Sequence, residues 1–270
     1  MRFLVARGVS ERRGCALAHL SRSSFAYEAR GNGNRELTVC IQDLALQYRR
    51  YGYRRIWAML NRQRRRRGQE PVNRKRVHRL WKELGLALPR RRKRKRRGQG
   101  VGVPCRAEYP NHVWTYDFVF DFCENGRVLK FLTVVDEFTR QSLAIEVDVR
   151  LSSKQVIQVL DRLACEYGRP EYLRSDNGPE FIARQLRRYL EEHGSKTRYI
   201  DPGSPWQNAY GESFNGKFRD EFLNQEVFHS PAHARVLAAA WRRYYNTERP
   251  HSALDYLTPA EFAAKVAPAA

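Results

Sequence analysis

From Val113 to Val149 the chain alternates between aromatic or β-branched runs and turn signals, and this pattern constrains the fold more than any other feature. Val113 to Phe122 reads as a strand, Glu124-Asn125-Gly126 as a hairpin turn, and Val128 to Val135 and Ser142 to Val149 as two further strands. Three strands joined this closely pair most simply as an antiparallel meander. The period then changes, predicting a helix from about Ser152 to Tyr167, a short strand at Tyr172 to Arg174 and a second helix from Pro179 to His193. A meander followed by alternating helices and strands makes a mixed α/β layer.

The residues before this block obey different rules. Apolar positions recur at helical spacing in Leu37, Ile41, Leu44 and Tyr48, predicting a helix from Arg35 to Tyr48 that stops at Tyr51-Gly52. A second short amphipathic segment carries Tyr53, Ile56, Trp57 and Leu60. A third starts at Asn73 as N-cap, runs through Val77, Leu80, Trp81 and Leu84, and ends at Gly85. Three short helices with tight joins resemble a helix-turn-helix module, in which Arg74, Lys75, Arg76 and Arg79 occupy the start of the recognition helix. A generic basic bundle with no specific partner fits this segment equally well.

Charge divides the chain at the same place. The 270 residues carry a formal net charge of +21, and 42% are hydrophobic, enough for a core. Residues 1–104 hold 29 Lys and Arg against 6 Asp and Glu, whereas residues 105–270 hold 21 against 23, so the positive excess is entirely N-terminal. The densest runs are Arg64 to Arg67, placed between helices, and the eight basic residues from Arg90 to Arg97, followed by Gly98-Gln99-Gly100. Such blocks repel themselves until phosphates neutralise them, which points to a polyanionic partner and salt-sensitive binding. The expected organisation is a basic helical region over 1–88, a linker over 89–104, an α/β core over 105–230 and a C-terminal helix and tail over 231–270.

Cysteines at 15, 40, 105, 123 and 165 make no close pair and no zinc-finger spacing with histidine, so they read as reduced thiols. No apolar run approaches the ~20 residues that span a bilayer, and no secretory signal is present. The expected location is cytoplasmic, on the chromosome, without a membrane partner.

Four motifs share a resemblance: Trp114-Thr115-Tyr116-Asp117, Val134 to Arg140, Ser175-Asp176-Asn177-Gly178-Pro179-Glu180-Phe181, and Ser204 to Asn215, which includes Gly211-Glu212-Ser213. Together they resemble the catalytic-core blocks of retroviral-integrase-type transposases, and most closely the second reading frame of insertion sequence family three. Tyr51 to Ile56 with Lys75-Arg76-Val77, and Asn246 to Pro259, resemble that family's flanking regions, so nearly the whole chain is covered. The element order is that of a ribonuclease-H-like fold: a mixed sheet flanked by helices, preceded by a small all-α, helix-turn-helix-like basic domain.

Thirty-five residues lie between Asp176 and Glu212 (212 − 176 − 1), the separation this family keeps between its second and third acids. The resemblance implies that Asp117, Asp176 and Glu212 are catalytic metal ligands and that Arg219, seven residues beyond Glu212, is the family's basic residue. It also implies Mg²⁺ or Mn²⁺ as cofactor, as two ions. The chemistry suits the residues: in-line displacement at phosphorus is served by two hard cations about 4 Å apart, and carboxylate oxygens suit such cations. Taken singly, Asp117 fits a strand end, Asp176 turn chemistry before Asn177-Gly178, and Glu212 a first-turn helix acid. On a helix beginning near Asn208, Phe214, Phe218 and Phe222 fall on one stripe while Glu212 and Arg219 share another face.

Asp136, Glu180, Asp201 and Glu221 are nearby acids, of which Glu180 and Asp136 rank first for supporting or structural roles. Trp206, Gln207 and Asn208 occupy the loop before the catalytic helix, where they order the loop or touch a DNA strand. Pro231 to Tyr245 forms a helix, and in the turn that follows Arg249 and His251 approach DNA or the core, a buried hydrogen bond being the preferred reading for His251. The implied function is cleavage and strand transfer at the ends of an insertion sequence. Its partners are duplex DNA with terminal inverted repeats, target DNA, further copies of the chain in a synaptic complex, and the product of an upstream reading frame. Two rivals stand beside it: a DNA-binding regulatory subunit that needs fusion to that upstream frame, and a ribonuclease-H-like nuclease of other purpose.

Overall fold

The computed structural model describes residues 2–26, 34–87, 106–175, 184–192, 194–199 and 209–267. Three short helices, α1 (Arg2–Ala6), α2 (Glu11–Leu17) and α3 (Arg22–Ala26), precede the helical unit formed by α4 (Arg35–Gln47), α5 (Tyr53–Arg66) and α6 (Arg74–Glu83). That unit closes over Ile41, Ile56, Leu60, Val77 and Trp81, all buried. The Asn73 side chain accepts from the Lys75 backbone N–H (2.8 Å) and Gly85 takes a left-handed φ of 66°, the two ends expected of α6.

One expectation fails. Arg64, Arg65 and Arg66 do not lie between helices: they are the last turn of α5. Arginine is a good helix former, and cations at a helix C-terminus face the negative end of its dipole, so the charge run extends the helix.

The second unit is a five-stranded sheet in the order β3-β2-β1-β4-β5. Strands β1 (Val113–Phe122), β2 (Val128–Asp136) and β3 (Ser142–Asp148) form the antiparallel meander. Helix α7 (Ser153–Tyr167), capped by Ser152 and Gln155, leads to β4 (Tyr172–Ser175), which runs parallel to β1. Helix α8 (Arg184–Glu192) precedes β5 (Lys196–Tyr199), parallel to β4 at the edge. The part of the expected helix before Arg184 lies outside the described residues. β5 has no sequence signature, because four residues with one aromatic give no alternation to count.

Side chains of β2 alternate between two cores. Phe131 and Val135 face α9 (Ala209–Phe218) and α10 (Pro231–Thr247), whereas Leu132 and Val134 face α7 and α8. Phe214, Phe218 and Phe222 are 2%, 0% and 3% exposed, so the predicted stripe is the buried one. Each such phenylalanine contributes about 1.5–3 kcal/mol of burial. Past α9 the helix loosens into a π-helical turn over Arg219–Leu223, and after α10 come a 3₁₀ turn (Ser252–Leu254) and α11 (Pro259–Val266). α11 carries a signature legible in sequence, Thr258 and Glu261 as a capping box around Pro259.

The helical unit packs against the far end of the chain. Tyr51 and Tyr244 share a hydrogen bond between hydroxyls (2.6 Å), Arg50 pairs with Asp220, and Arg62 bonds Glu261 (2.7 Å). Among the described residues no helix is long and apolar enough to cross a membrane.

Candidate active site

Asp117 is the fifth residue of β1 and is half-buried. The Phe118 backbone N–H donates to its Oδ1 (2.7 Å) and Asn215 Nδ2 donates to its Oδ2 (2.7 Å). An ionised carboxylate offers about four acceptor sites, of which these bonds use two. Asn215 is itself oriented from β2. Thr133 Oγ1, opposite Asp117 in the sheet, lies 3.1 Å from Asn215 Oδ1 and 3.2 Å from the Asp117 carbonyl oxygen. Asn215 was visible in sequence only as the end of a motif. The signal that could have singled it out is its spacing from Glu212, since residues three apart share a helix face.

Glu212 lies in the first turn of α9 and is exposed, one turn before Asn215. The structure therefore joins the strand of Asp117 to the helix of Glu212 through Asn215. Asp176 follows Ser175, the last residue of β4, and lies outside the described residues. The β1–β4 register pairs Thr115 with Arg174, so positions 117 and 176 are each two residues further along their chains. Among the described residues no group of three or more His, Cys, Asp or Glu side chains could hold a metal ion.

Acids near these positions divide cleanly by role. Asp136 Oδ1 accepts from the backbone N–H groups of Phe138 (2.7 Å) and Thr139 (3.0 Å), and Oδ2 from that of Asn111 (2.7 Å), which makes it a turn organiser. Burial pushes its pKa up against those bonds. Glu137, which the sequence did not single out, accepts both bonds from Arg174 Nη1 (2.7 and 2.8 Å) and one from the Thr115 hydroxyl. Both partners are buried, and together they tie β4 to β1 two residues before Asp176. Glu221 receives Arg249 in a bidentate pair (2.6 and 2.6 Å) and Arg55 Nη1 (2.8 Å). Glu180 and Asp201 lie outside the described residues.

The turn after α10 serves the core. Arg249 is 0% exposed and His251 6%. His251 Nε2 lies 3.2 Å from Arg249 Nη1, and Nδ1 lies 2.9 Å from the Arg249 carbonyl, which fixes Nδ1 as the protonated nitrogen. Burial and then the Arg249 charge push its pKa down to about 2, so the ring stays neutral. This matches the buried hydrogen bond expected for it. Of the basic residues, Arg74, Lys75, Arg76, Arg79 and Arg219 are all exposed. Arg76 bonds Asn34 (2.8 Å) and Arg79 lies 3.8 Å from Glu83. Trp206 and Asn208 lie outside the described residues.

Comparison with known proteins places these features in a lineage. Two integrase core domain models match residues 107–205 and 193–259, and an HTH-like domain model matches residues 33–94. The insertion element IS407 uncharacterized 31.7 kDa protein of Burkholderia multivorans is 47% identical over 258 residues, covering 95% of this chain and 91% of its own length. The chain belongs to the transposases of insertion sequence family three. The transposase InsD for insertion element IS2 of Escherichia coli is 28% identical over 223 residues, covering 78% of this chain and 73% of its own. In structure, this family member resembles the integrase of the simian T-cell lymphotropic virus intasome solved with the PP2A regulatory subunit B56γ. The TM-score is 0.51 at 16% identity, over 71% of this chain and 67% of the other, a likeness of fold. The sheet with its flanking helices is thus the ribonuclease-H-like fold expected from sequence.

Proposed function

We propose that the chain cleaves DNA strands at the ends of an insertion sequence and joins them to target DNA, with Asp117, Asp176 and Glu212 holding two Mg²⁺ or Mn²⁺ ions. Membership of the transposase family supports the reaction class. The observation that carries the assignment is the Asn215 hydrogen bond to Asp117 (2.7 Å), because it ties the helix of one acid to the strand of another. Hard carboxylate oxygens suit such ions, which when bound activate the attacking oxygen and stabilise the leaving one.

The chain's own groups have separate tasks in this reading. Phe118 N–H and Asn215 Nδ2 hold the Asp117 carboxylate in one orientation, and α9 presents Glu212 from its exposed face. Arg219, on the same face of the helix, meets a backbone phosphate. Arg74, Lys75, Arg76 and Arg79 grip the terminal inverted repeats, and Trp206 and Asn208 contact the strand beside the reaction. The functional division is 1–88 for grip, 89–104 for linker, 105–230 for chemistry and 231–270 for the C-terminal helix and tail. Synapsis of two ends calls for further copies of the chain, and the upstream-frame product is a candidate partner. The place of action is the bacterial cytoplasm, at the nucleoid.

Purified chain mixed with a duplex carrying the terminal repeats should nick it in millimolar Mg²⁺ or Mn²⁺ and not in excess chelator, while gel-shift binding persists in both. Cleavage that survives chelation would remove the metal assignment. Asn215→Ala should lower cleavage about 10–100-fold by loosening the carboxylate it orients. The metal concentration for half-maximal rate should rise, with melting temperature and DNA affinity unchanged; a fall in melting temperature at unaltered metal dependence would make Asn215 structural only.

A further inference from the structure

The face of α9 that carries Tyr210, Ser213 and Lys217, across the buried phenylalanine stripe from Glu212 and Asn215, borders a cavity of about 160 Å³. Its walls come from four separate stretches of chain: Arg55 of α5, Arg140 of the β2–β3 turn, Tyr210, Ser213 and Lys217 of α9, and Arg249 with Ser252 after α10. Four of these residues are cations. Among the described residues the carboxylate bonded to the group is Glu221, on Arg55 and Arg249, an excess of three positive charges over the ion-paired acid (four minus one). Among the described residues neither Arg140 nor Lys217 forms an ion pair.

We propose that this cavity seats a phosphate of the DNA backbone, held by Lys217 and Arg140 with the Ser213 hydroxyl beside them. The proposal rests on the reading of DNA as substrate. Three observations favour an oxyanion. Arg140 is fixed in advance: its backbone is held left-handed at φ 65°, and its guanidinium lies 3.8 Å over the Tyr210 ring. A non-glycine residue in that region costs energy, which a turn repays when the side chain must be aimed. Lys217 Nζ is held 2.9 Å from Ser213 Oγ, and burial followed by the charges of Arg249 and Arg55 pushes its pKa down to about 8. An ammonium group kept among like charges in a partly enclosed site gains most from an arriving anion, and guanidinium, ammonium and hydroxyl donors around one small space suit a tetrahedral one. Because Arg55 belongs to the helical unit and Lys217 to the helix of Glu212, a phosphate here would mark the strand's route from grip to cut.

The test uses the full chain in chelator, so that binding is read without cleavage. Lys217→Met and Arg140→Gln should each weaken binding of the terminal-repeat duplex roughly tenfold near 0.1 M salt and lower the slope of log affinity against log salt by about one. Lys217→Arg should keep both. Without DNA, Lys217→Met should melt at the same temperature as wild type or higher, since it removes a repelled charge. Inorganic phosphate at millimolar concentration should raise the melting temperature of wild type and not of Lys217→Met. Unchanged affinity and slope in folded Lys217→Met would overturn the proposal. Phosphate stabilisation of wild type alone with an unchanged slope would assign the cavity to free phosphate and overturn the DNA seat. Failure of the metal assignment would appear separately, as chelator-resistant cleavage with these binding effects intact.

Discussion

Asp117→Asn, Asp176→Asn and Glu212→Gln are each expected to lower strand cleavage by about 10³-fold or more while terminal-repeat binding stays within a few-fold of wild type. Each swap keeps the side chain's shape and removes one negative charge. Losing several kcal/mol of metal-borne charge stabilisation corresponds to that factor, at about 1.4 kcal/mol per tenfold. At position 117 the amide also meets a local conflict. Both oxygens of Asp117 accept a proton donor, Phe118 N–H on one side and Asn215 Nδ2 on the other, whereas an amide has one acceptor end. One of those bonds is therefore lost, at about 1 kcal/mol, small beside the roughly 5–15 kcal/mol that keeps a domain folded. Single-turnover cleavage with a melting curve separates the two effects. Normal nicking by any of the three variants would end the assignment of that acid.

Arg249→Met is expected to destabilise the chain by about 3 kcal/mol or more, with the melting temperature falling by about 10 °C. Arg249 is fully buried and bonds Glu221 through Nε and Nη2 (2.6 Å each), so removing it strands a carboxylate whose side chain is only 8% exposed. Arg55 still reaches that carboxylate at 2.8 Å, which holds the cost toward the lower end of the range for a broken buried pair. The double variant Arg249→Met/Glu221→Leu should recover much of the loss, because no buried charge is then left alone and Arg55, 27% exposed at its side chain, can turn to water. A change under about 0.5 kcal/mol in the single variant would mean that water reaches Glu221.

The elements legible in sequence are those whose signal repeats within themselves. β1 to β3 are runs of seven to ten residues rich in aromatic and β-branched side chains, and the stripe of Phe214, Phe218 and Phe222 announces which side of their helix is buried. β5 escapes because its pairing with β4 is a tertiary event on a four-residue edge. α5 extends past the amphipathic signal of Tyr53 to Leu60 because the arginines that follow carry no apolar periodicity, although they propagate a helix. Of the proposed metal ligands, Asp117 and Glu212 are singled out in sequence by motif and spacing, whereas the contacts around them are not. Asn215 meets Asp117 across 98 residues, Arg174 meets Glu137 across 37, and Arg55 meets Glu221 across 166, separations for which no periodicity exists. Glu221 illustrates the limit: sequence placed it among the acids near the reaction, and its partners make it a clamp.

The docking of α5 against the turn that follows α9 bears on how a cut site is measured. Arg50, Tyr51, Arg55 and Arg62 are fastened to Asp220, Tyr244, Glu221 and Glu261, so the helical unit is bolted to the segments that follow α9. If, as proposed, α6 grips the terminal repeat and the cut falls beside α9, the number of base pairs from recognised sequence to severed bond is set by this bolted frame, as in a caliper with its jaws locked.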